Sequence, residues 1–96
     1  MKIYLTAILK AKPGKVSILK SILQQMVIAS RKEEDCLQYD LFQSNEDENV
    51  FIFNEIWANQ KGLDHHNDQP HLVNFQKASD SILNEPVIIY KSQKIS

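Results

Sequence analysis

The sequence predicts an α+β protein in which helices pack on one antiparallel sheet, and three observations support this class. Segments rich in β-branched and aromatic residues alternate with segments of helical periodicity. The 96 residues suffice for one domain, which we expect to span residues 1–96. The sequence also contains no internal repeat, linker or low-complexity segment that would divide it.

The first strand and the first helix are divided by a Pro-Gly pair. Residues 2–10, KIYLTAILK, favour a strand, and Pro13-Gly14 ends it. Apolar residues then recur at helical spacing from Lys15 to about Lys32, which predicts one long amphipathic helix. The apolar stripe of this helix consists of Val16, Leu19, Leu23, Met26 and Val27.

A hairpin, two short helices and a last strand follow. Residues 36–43, CLQYDLFQ, and residues 50–57, VFIFNEIW, are separated by the polar run SNEDEN, which predicts a β-hairpin. Asn59 can cap a helix to about His66, and Pro70 suits the first turn of the next helix. Residues 86–93, PVIIYKSQ, predict a strand that starts at a proline. The order is that of the split βαβ, or ferredoxin-like, arrangement.

Both faces of the predicted sheet are apolar. Because side chains alternate across a strand, Phe53 and Trp57 point one way while Ile52 and Ile56 point the other way. Helices can cover only one face, and the other would be a larger apolar patch than monomers normally expose. We therefore expect a symmetric homodimer that buries the open sheet face.

Composition and charge exclude several classes of partner. Charged residues make up 24% of the chain and the net charge is -1, so no basic excess attracts nucleic acid. The apolar run at the amino terminus is interrupted by Thr6 and Lys10, which supports neither a signal peptide nor a membrane span. The single cysteine, Cys36, excludes an internal disulfide and fits a reducing compartment. We expect a cytoplasmic protein without a nucleic-acid or membrane partner.

The strand segment FNEIW carries polar residues that indicate a site. Asn54 and Glu55 are costly to desolvate among their apolar neighbours. Glu55 shares a face with Phe53 and Trp57, and the chain then turns into the segment that holds the histidines. We predict that carboxylate, indole and imidazole groups line a pocket for a small aromatic ligand, with a group for proton transfer. Alternatively, Glu55 pairs with a lysine or arginine and Trp57 belongs to the core.

All three histidines lie in the segment LDHHNDQPHLVNF. His66 and His71 are five residues apart and Pro70 separates their helices, whereas two metal ligands on one helix face are three or four residues apart. We therefore expect no metal site. His66 could also be a helix-end residue that bonds backbone carbonyls. Residues 33–35, EED, are interpreted as a solvated acidic turn.

Two longer segments resemble the antibiotic biosynthesis monooxygenase family. SRKEEDCLQYDLFQS, residues 30–44, is similar to a helix end that leads into a Tyr-Asp strand in that family. FNEIWANQKGLDHHNDQPH, residues 53–71, is similar to its aromatic-x-Glu-x-Trp strand and Leu-x-x-His-x-x-x-Pro-His helix junction. The residues that match at the family's spacing are Glu33, Cys36, Tyr39, Glu55, Trp57, Leu63, His66, Pro70 and His71.

The resemblance implies a ferredoxin-like protomer that forms a dimeric α+β barrel, with a pocket between sheet and helices. The family includes oxygenases of phenolic, anthrone or quinol substrates that need no flavin or metal, haem-degrading oxygenases, and an isomerase of a phosphorylated sugar. His66 matches the family's histidine, His71 a second and less constrained one, and His65 a variable position. The chain departs at Asp35, where the family commonly has glycine. The residues of the haem-degrading members do not align around Trp57, so haem is not expected.

Residues and resemblance together predict a cofactor-independent monooxygenase of a small quinol- or polyphenol-type substrate, with dioxygen as co-substrate. We expect His66 to act as base or proton relay and Glu55 to orient it or balance its charge. The residues expected to contact substrate are Trp57, Tyr39, Phe53, His71 and Asn54. The alternatives are an isomerase or other proton-transfer enzyme, and a non-catalytic dimer that binds an apolar metabolite.

Overall fold

The computed structural model describes residues 1–96 and confirms the predicted α+β fold class. The elements are β1 (Ile3–Lys10), α1 (Val16–Arg31), β2 (Cys36–Gln43), β3 (Val50–Trp57), α2 (Gln60–Asn67), α3 (Pro70–Ile82) and β4 (Ile88–Ser92). The two hairpin strands have the predicted bounds, and the predicted ends of the other elements are correct to within about two residues.

The sheet is antiparallel throughout, with the strand order β2-β3-β1-β4. The central strands β1 and β3 pair along their full length. β2 adds at one edge, where Tyr39 lies opposite Glu55, and β4 adds at the other edge, where Ile89 lies opposite Ala7. This register places Tyr39 and Glu55 side by side on one face of the sheet.

Local turn chemistry sets where the helices begin. Gly14 has a φ of 80°, a left-handed conformation that lets the chain reverse between β1 and α1. The Asn59 side chain accepts a hydrogen bond of 2.8 Å from the backbone N–H of Gly62, which confirms the predicted cap of α2. Pro70 occupies the first position of α3, where a missing N–H costs no hydrogen bond.

Asp35 makes the turn between α1 and β2 in an ordinary backbone conformation, because no non-glycine residue of the chain has a positive φ. Its backbone carbonyl accepts a hydrogen bond of 2.9 Å from the N–H of Ala58. Its side chain packs against Gly62, where an added methyl group would lie 2.4 Å from the Asp35 Cβ atom. Asp35 therefore ties the end of α1 to the helix that carries His66.

The core lies between the helices and the inner face of the sheet. Its largest fully buried apolar side chains are Trp57, Tyr39, Phe51, Leu19 and Leu23. Full burial of a leucine or phenylalanine contributes roughly 1.5–3 kcal/mol, so these positions hold α1 on the sheet. Ser30, Glu55 and His66 are polar residues buried with them. Glu55 and His66 are the titratable groups among these buried polar residues.

The helices leave the opposite face of the sheet open, and this outer face is apolar as predicted. Phe42, Ile88 and Tyr90 on this face are 51%, 42% and 60% exposed. Ile52 and Ile56 of β3 lie on the same face and are half-buried. Phe42, Ile52, Ile8 and Ile88 lie opposite one another across the four strands, so this face presents a row of apolar side chains to solvent.

β4 is shorter than the predicted strand. It begins at Ile88, two residues after Pro86, and all its residues are exposed. Proline has no N–H to donate to β1, so pairing starts further along, where Ile88 lies opposite Ile8. As for membranes, none of the helices combines the length and the apolar character that a crossing would require.

Candidate active site

A cavity of about 120 Å³ lies between the inner face of the sheet and the helices. Most of its wall is hydrophobic, with contributions that include Leu5, Ala7, Phe53, Leu63, Leu72 and Phe75. The titratable groups at the cavity are Glu55, His66 and the hydroxyl of Tyr39, and no lysine or arginine lines it. An apolar pocket with a few convergent polar groups is the usual form of a small-molecule site.

The carboxylate of Glu33 joins two imidazoles. Its Oε2 atom lies 2.6 Å from Nδ1 of His66 and 3.0 Å from Nε2 of His71. Glu33 follows α1, His66 lies near the end of α2, and His71 lies in the first turn of α3. The side chains of Glu33 and His66 are only 8% and 3% exposed. The interpretation of residues 33–35 as a solvated turn is therefore wrong for Glu33.

The prediction that Glu55 orients His66 is also wrong, because Glu33 makes that hydrogen bond. Burial lowers the pKa of His66, and the Glu33 carboxylate opposes only part of this shift. The neutral imidazole therefore donates its Nδ1 proton to Glu33, which leaves Nε2 as an acceptor. No residue of the chain forms a hydrogen bond with Nε2, and His66 lines the cavity. Its lone pair is available to a ligand.

Glu55 instead accepts a hydrogen bond of 2.8 Å from the indole N–H of Trp57. It forms no ion pair with a lysine or arginine, so the alternative of such a pair is not observed. Burial raises the pKa of Glu55 to about 7, the Trp57 hydrogen bond opposes this shift, and the charge of Glu33 adds to it. The carboxyl group therefore changes its protonation near neutral pH, as a proton-transfer group requires.

Two aromatic rings pack against His66. The Trp57 ring lies with its centroid 4.3 Å from that of the imidazole, and the Tyr39 ring lies at 5.4 Å. Tyr39 in turn contacts Phe53, with the ring centroids 4.9 Å apart. Burial, together with the charge of Glu55, raises the pKa of Tyr39, so its hydroxyl stays protonated at neutral pH. These rings fix the orientation of His66 at the cavity.

The structure brings some predicted site residues to the cavity and leaves others elsewhere. Tyr39, Phe53, Glu55 and His66 line it, whereas Trp57 is completely buried behind its wall. Trp57 therefore acts on the site through its neighbours and does not touch a ligand in the cavity.

Asn54 and His71 do not line the cavity. Asn54 alternates with Glu55 along β3, so it lies on the outer face of the sheet, where its Oδ1 atom accepts a hydrogen bond of 3.4 Å from the Thr6 hydroxyl. His71 lines a separate groove between α1 and α3. Sequence alternation alone could have separated Asn54 from Glu55, whereas the position of His71 depends on how two helices meet.

Glu33, His66 and His71 are the residues that could hold a divalent cation, since their ligand atoms lie within 4.8 Å of one another. The spacing argument against a shared site assumed one helix and fails here, because two helices converge on Glu33. The facing atoms already form two hydrogen bonds through one carboxylate oxygen. A zinc ion with bonds of about 2.0–2.1 Å would have to displace both. That no metal is bound stays a prediction.

Cys36 is not placed for nucleophilic chemistry. Burial raises the pKa of its thiol to about 11, and the nearby charge of Glu33 acts in the same direction. The thiol is therefore protonated at neutral pH, and only the thiolate is a strong nucleophile.

The protonation of Glu55 is expected to make stability fall between about pH 5 and pH 7. Its pKa is about 7 in the folded protein and 4.5 ordinarily, so the folded state binds more protons in this range. The free energy of unfolding therefore decreases as pH rises, by up to roughly 3 kcal/mol from this group. The lowered pKa of His66 acts in the opposite direction. Urea unfolding of wild type and Glu55→Gln at pH 5, 6, 7 and 8 isolates the contribution of Glu55.

Between pH 5 and pH 7, the free energy of unfolding should fall less in Glu55→Gln than in wild type. Glu34→Gln changes an exposed carboxylate of the same chain and should behave as wild type. An identical pH dependence in wild type and Glu55→Gln would contradict the assigned protonation.

The fold and the cavity together define a class of protein. It is a small ferredoxin-like domain whose apolar pocket holds a neutral imidazole acceptor and a carboxyl group that titrates near pH 7. The model of the antibiotic biosynthesis monooxygenase family matches residues 2–78. The chain belongs to this family, which confirms the resemblance found in its sequence.

Relatives match over most of the chain. YcnE of Bacillus subtilis, named "Putative monooxygenase", is 33% identical over 91 residues, which cover 95% of this chain and 96% of YcnE. Rv0793 of Mycobacterium tuberculosis bears the same description and is 30% identical over 81% of this chain and 76% of its own length. The protein sll1783 of Synechocystis is 32% identical over 86% of this chain, but the chain spans only 58% of its length.

A solved structure shares the fold over nearly its full length. PA3566 from Pseudomonas aeruginosa superposes with a TM-score of 0.94 at 30% sequence identity, covering 99% of this chain and 95% of PA3566. The topology that positions Glu33, His66 and His71 is therefore shared with PA3566.

Proposed function

We propose that the protein is a cofactor-independent monooxygenase that uses dioxygen to oxidise a small quinol- or polyphenol-type molecule. The observation that carries this proposal is the unbonded Nε2 atom of a neutral, buried histidine, His66, in an apolar cavity beside Glu55. The family match supports the monooxygenase class, as do the names of YcnE and Rv0793.

The proposed reaction begins with a proton transfer. Nε2 of His66 accepts the proton of a phenolic hydroxyl, and the Glu33 carboxylate stabilises the imidazolium that forms. The resulting phenolate is electron-rich and reduces dioxygen, so that one oxygen atom becomes bonded to a ring carbon. The O–O bond then breaks, and the second oxygen leaves as water. The substrate supplies the electrons and the two protons of that water, which are the phenolic proton taken up by His66 and the proton lost from the ring carbon that gains the oxygen. We assign to Glu55 the transfer of a proton to the departing oxygen.

Oxygen consumption with a panel of quinols and polyphenols tests this function. We expect uptake with at least one compound, and we expect His66→Ala and Glu55→Gln to slow it. His65→Ala alters an exposed imidazole next to His66 in sequence and should leave turnover unchanged. No uptake with any panel compound would reject the monooxygenase class. Wild-type rates in both pocket variants would reject the assigned site.

A second candidate is an isomerase or other proton-transfer enzyme, which the pairing of His66 and Glu55 in one cavity would also serve. The substrate would be unphosphorylated, because no lysine or arginine lines the cavity to balance a phosphate. Deuterium exchange from D₂O into a panel compound under nitrogen would identify this function. Binding of a compound with neither exchange nor oxygen uptake would indicate a metabolite-binding protein.

We also propose that two copies associate through the outer face of the sheet. Phe42, Ile88 and Tyr90 expose apolar area there, which a second copy can bury face to face. Sedimentation at micromolar concentration should show a dimer, and Ile88→Lys should shift it to a monomer. Ile28→Lys is the matched control, because Ile28 is 54% exposed on α1, away from the sheet face. A monomeric wild type would contradict this interface.

A further inference from the structure

The cavity crosses the sheet from a closed end to an open end. Three residues on neighbouring strands form one row of its floor, in which Phe53 lies opposite Ala7 and Ala7 lies opposite Ile89. Phe53 is buried, as are Tyr39 and Glu55 beside it, whereas Ile89 is 57% exposed. Neighbouring strands are about 4.8 Å apart, so the floor extends roughly 10 Å from Phe53 to Ile89. The closed end therefore lies at β3, where Glu55 is, and the opening lies at β4.

Ala7 creates a recess in the middle of this floor. Leu5, Ala7 and Leu9 of β1 all line the cavity, and the side chain of Ala7 ends at Cβ while the leucines on both sides extend further. The cavity has a volume of about 120 Å³. An engineered apolar cavity of about 150 Å³ is known to hold one benzene ring. The space above Ala7 therefore accommodates one aromatic ring, and a second ring fused beside the first would meet the cavity wall.

The open end of the cavity is also apolar. Ile89 lies on the inner face of the sheet, but β4 is an edge strand that pairs with β1 alone, and all its residues are exposed. Val87 lines the cavity just before β4, and Leu72 and Phe75 of α3 line it as well. Gln76, the polar residue next to Phe75, carries no charge. A group that leaves the cavity between β4 and α3 therefore contacts apolar side chains of both elements.

We propose that the substrate has a single aromatic ring with an apolar substituent on the side away from the reacting hydroxyl, and that Ala7 and Ile89 determine this specificity. This inference rests on the proposed function, which places the hydroxyl at His66. The ring lies above Ala7, and the hydroxyl lies at the closed end. The substituent leaves the cavity over Ile89, where it covers apolar area that water otherwise contacts. A charged substituent gains no partner there, because no lysine or arginine lines the cavity.

Titration calorimetry under nitrogen measures the binding of simple phenols to the wild-type protein without any reaction. We expect 4-butylphenol to bind at least about tenfold more tightly than 4-methylphenol, because its three further carbon atoms are partly buried at the opening. The comparison compound 1-naphthol has as many carbon atoms as 4-butylphenol, but its second ring lies beside the hydroxyl. It should bind at least about tenfold more weakly than 4-butylphenol. Equal or tighter binding of 1-naphthol would overturn the limit of one ring, and equal binding of the two alkylphenols, or none, would overturn the path of the substituent.

Two variants assign the specificity to Ile89 and Ala7. Ile89→Ala should weaken the binding of 4-butylphenol at least about threefold and leave that of 4-methylphenol unchanged, whereas Ile28→Ala, at an exposed isoleucine of α1, should change neither. Ala7→Val fills the recess and should weaken the binding of both alkylphenols at least about tenfold. Its matched control is Ala29→Val, which makes the same change in the separate groove between α1 and α3. Wild-type affinities in either cavity variant would overturn the role of that residue.

Circular dichroism checks that Ala7→Val is folded. If it is not, Ala7→Cys takes its place, because it adds a single sulfur atom to the recess and should still weaken the binding of 4-methylphenol about threefold. The binding results are independent of turnover. If the phenols bind as expected but no compound consumes oxygen, the proposed function fails and the specificity of the cavity is supported. If oxygen is consumed but 1-naphthol binds as tightly as 4-butylphenol, the specificity fails and the proposed function stands.

Discussion

Glu33→Gln is expected to lower kcat for oxygen uptake by at least about 100-fold, within the range that general base catalysis contributes. Glutamine keeps the shape of the side chain but removes the charge that holds the proton on Nδ1 of His66 and stabilises its imidazolium. Glu33 does not line the cavity, so KM should change little. An oxygen electrode with the most active panel compound measures both constants. This prediction separates a group that acts through His66 from one that touches substrate.

The matched control for this variant is Glu34→Gln, at the next residue, whose side chain is exposed. It makes the same chemical change without touching the histidines, and it should retain the wild-type kcat. A decrease in kcat of threefold or less in Glu33→Gln would contradict the role of Glu33 in stabilising the His66 imidazolium. A large rise in KM at constant kcat would do so as well, since it would place Glu33 in the substrate contact.

Trp57→Ala is expected to reduce the free energy of unfolding by about 3–5 kcal/mol, the usual cost of removing a buried aromatic side chain. Trp57 is completely buried, and its ring contacts His66 and packs nearly perpendicular to the ring of Tyr39. A domain of this size is stable by only about 5–15 kcal/mol, so the loss should be plain in urea unfolding. Ile18→Ala, at a position 47% exposed on α1, should change stability by about 0.5 kcal/mol at most.

Trp57→Phe separates the hydrogen bond from the packing. Phenylalanine keeps an aromatic ring but leaves Glu55 without the donor that it has at 2.8 Å, at an expected cost of about 1–3 kcal/mol. Because that hydrogen bond lowers the pKa of Glu55, the pKa should rise above about 7 in the variant. Carboxyl ¹³C NMR measures it directly. An unchanged or lower pKa of Glu55 would show that the indole does not stabilise the carboxylate.

The sequence predicts secondary structure well here because each signal is local. The alternation in residues 50–57 and the cap at Asn59 depend on a few neighbouring side chains, and the structure has both where they are expected. The two apolar faces of the sheet follow from the same alternation, so the open outer face could be foreseen. The presence of Glu55 and His66 in one apolar pocket could also be predicted from the order of the elements.

The partner of His66 could not be found this way. Glu33 matches the family's spacing, but its acidic neighbours give no local signal that distinguishes it from a solvated residue, and its oxygen bonds imidazoles 33 and 38 positions away. Spacing rules for one helix do not apply where residues of α2 and α3 converge on Glu33, just after α1. Glu33 is buried because these elements converge on it, so its burial can be known only from the three-dimensional packing.

Trp57 is the only tryptophan of the chain. Its indole N–H is bonded to Glu55 and its ring lies 4.3 Å from that of His66. All tryptophan fluorescence of the protein therefore originates at the two titratable groups of the candidate active site. Because a protonated imidazole quenches indole emission more strongly than a neutral one, the emission intensity should follow the charge of His66. The intrinsic fluorescence of Trp57 can therefore report ligand binding in the cavity without a label and before any reaction is known.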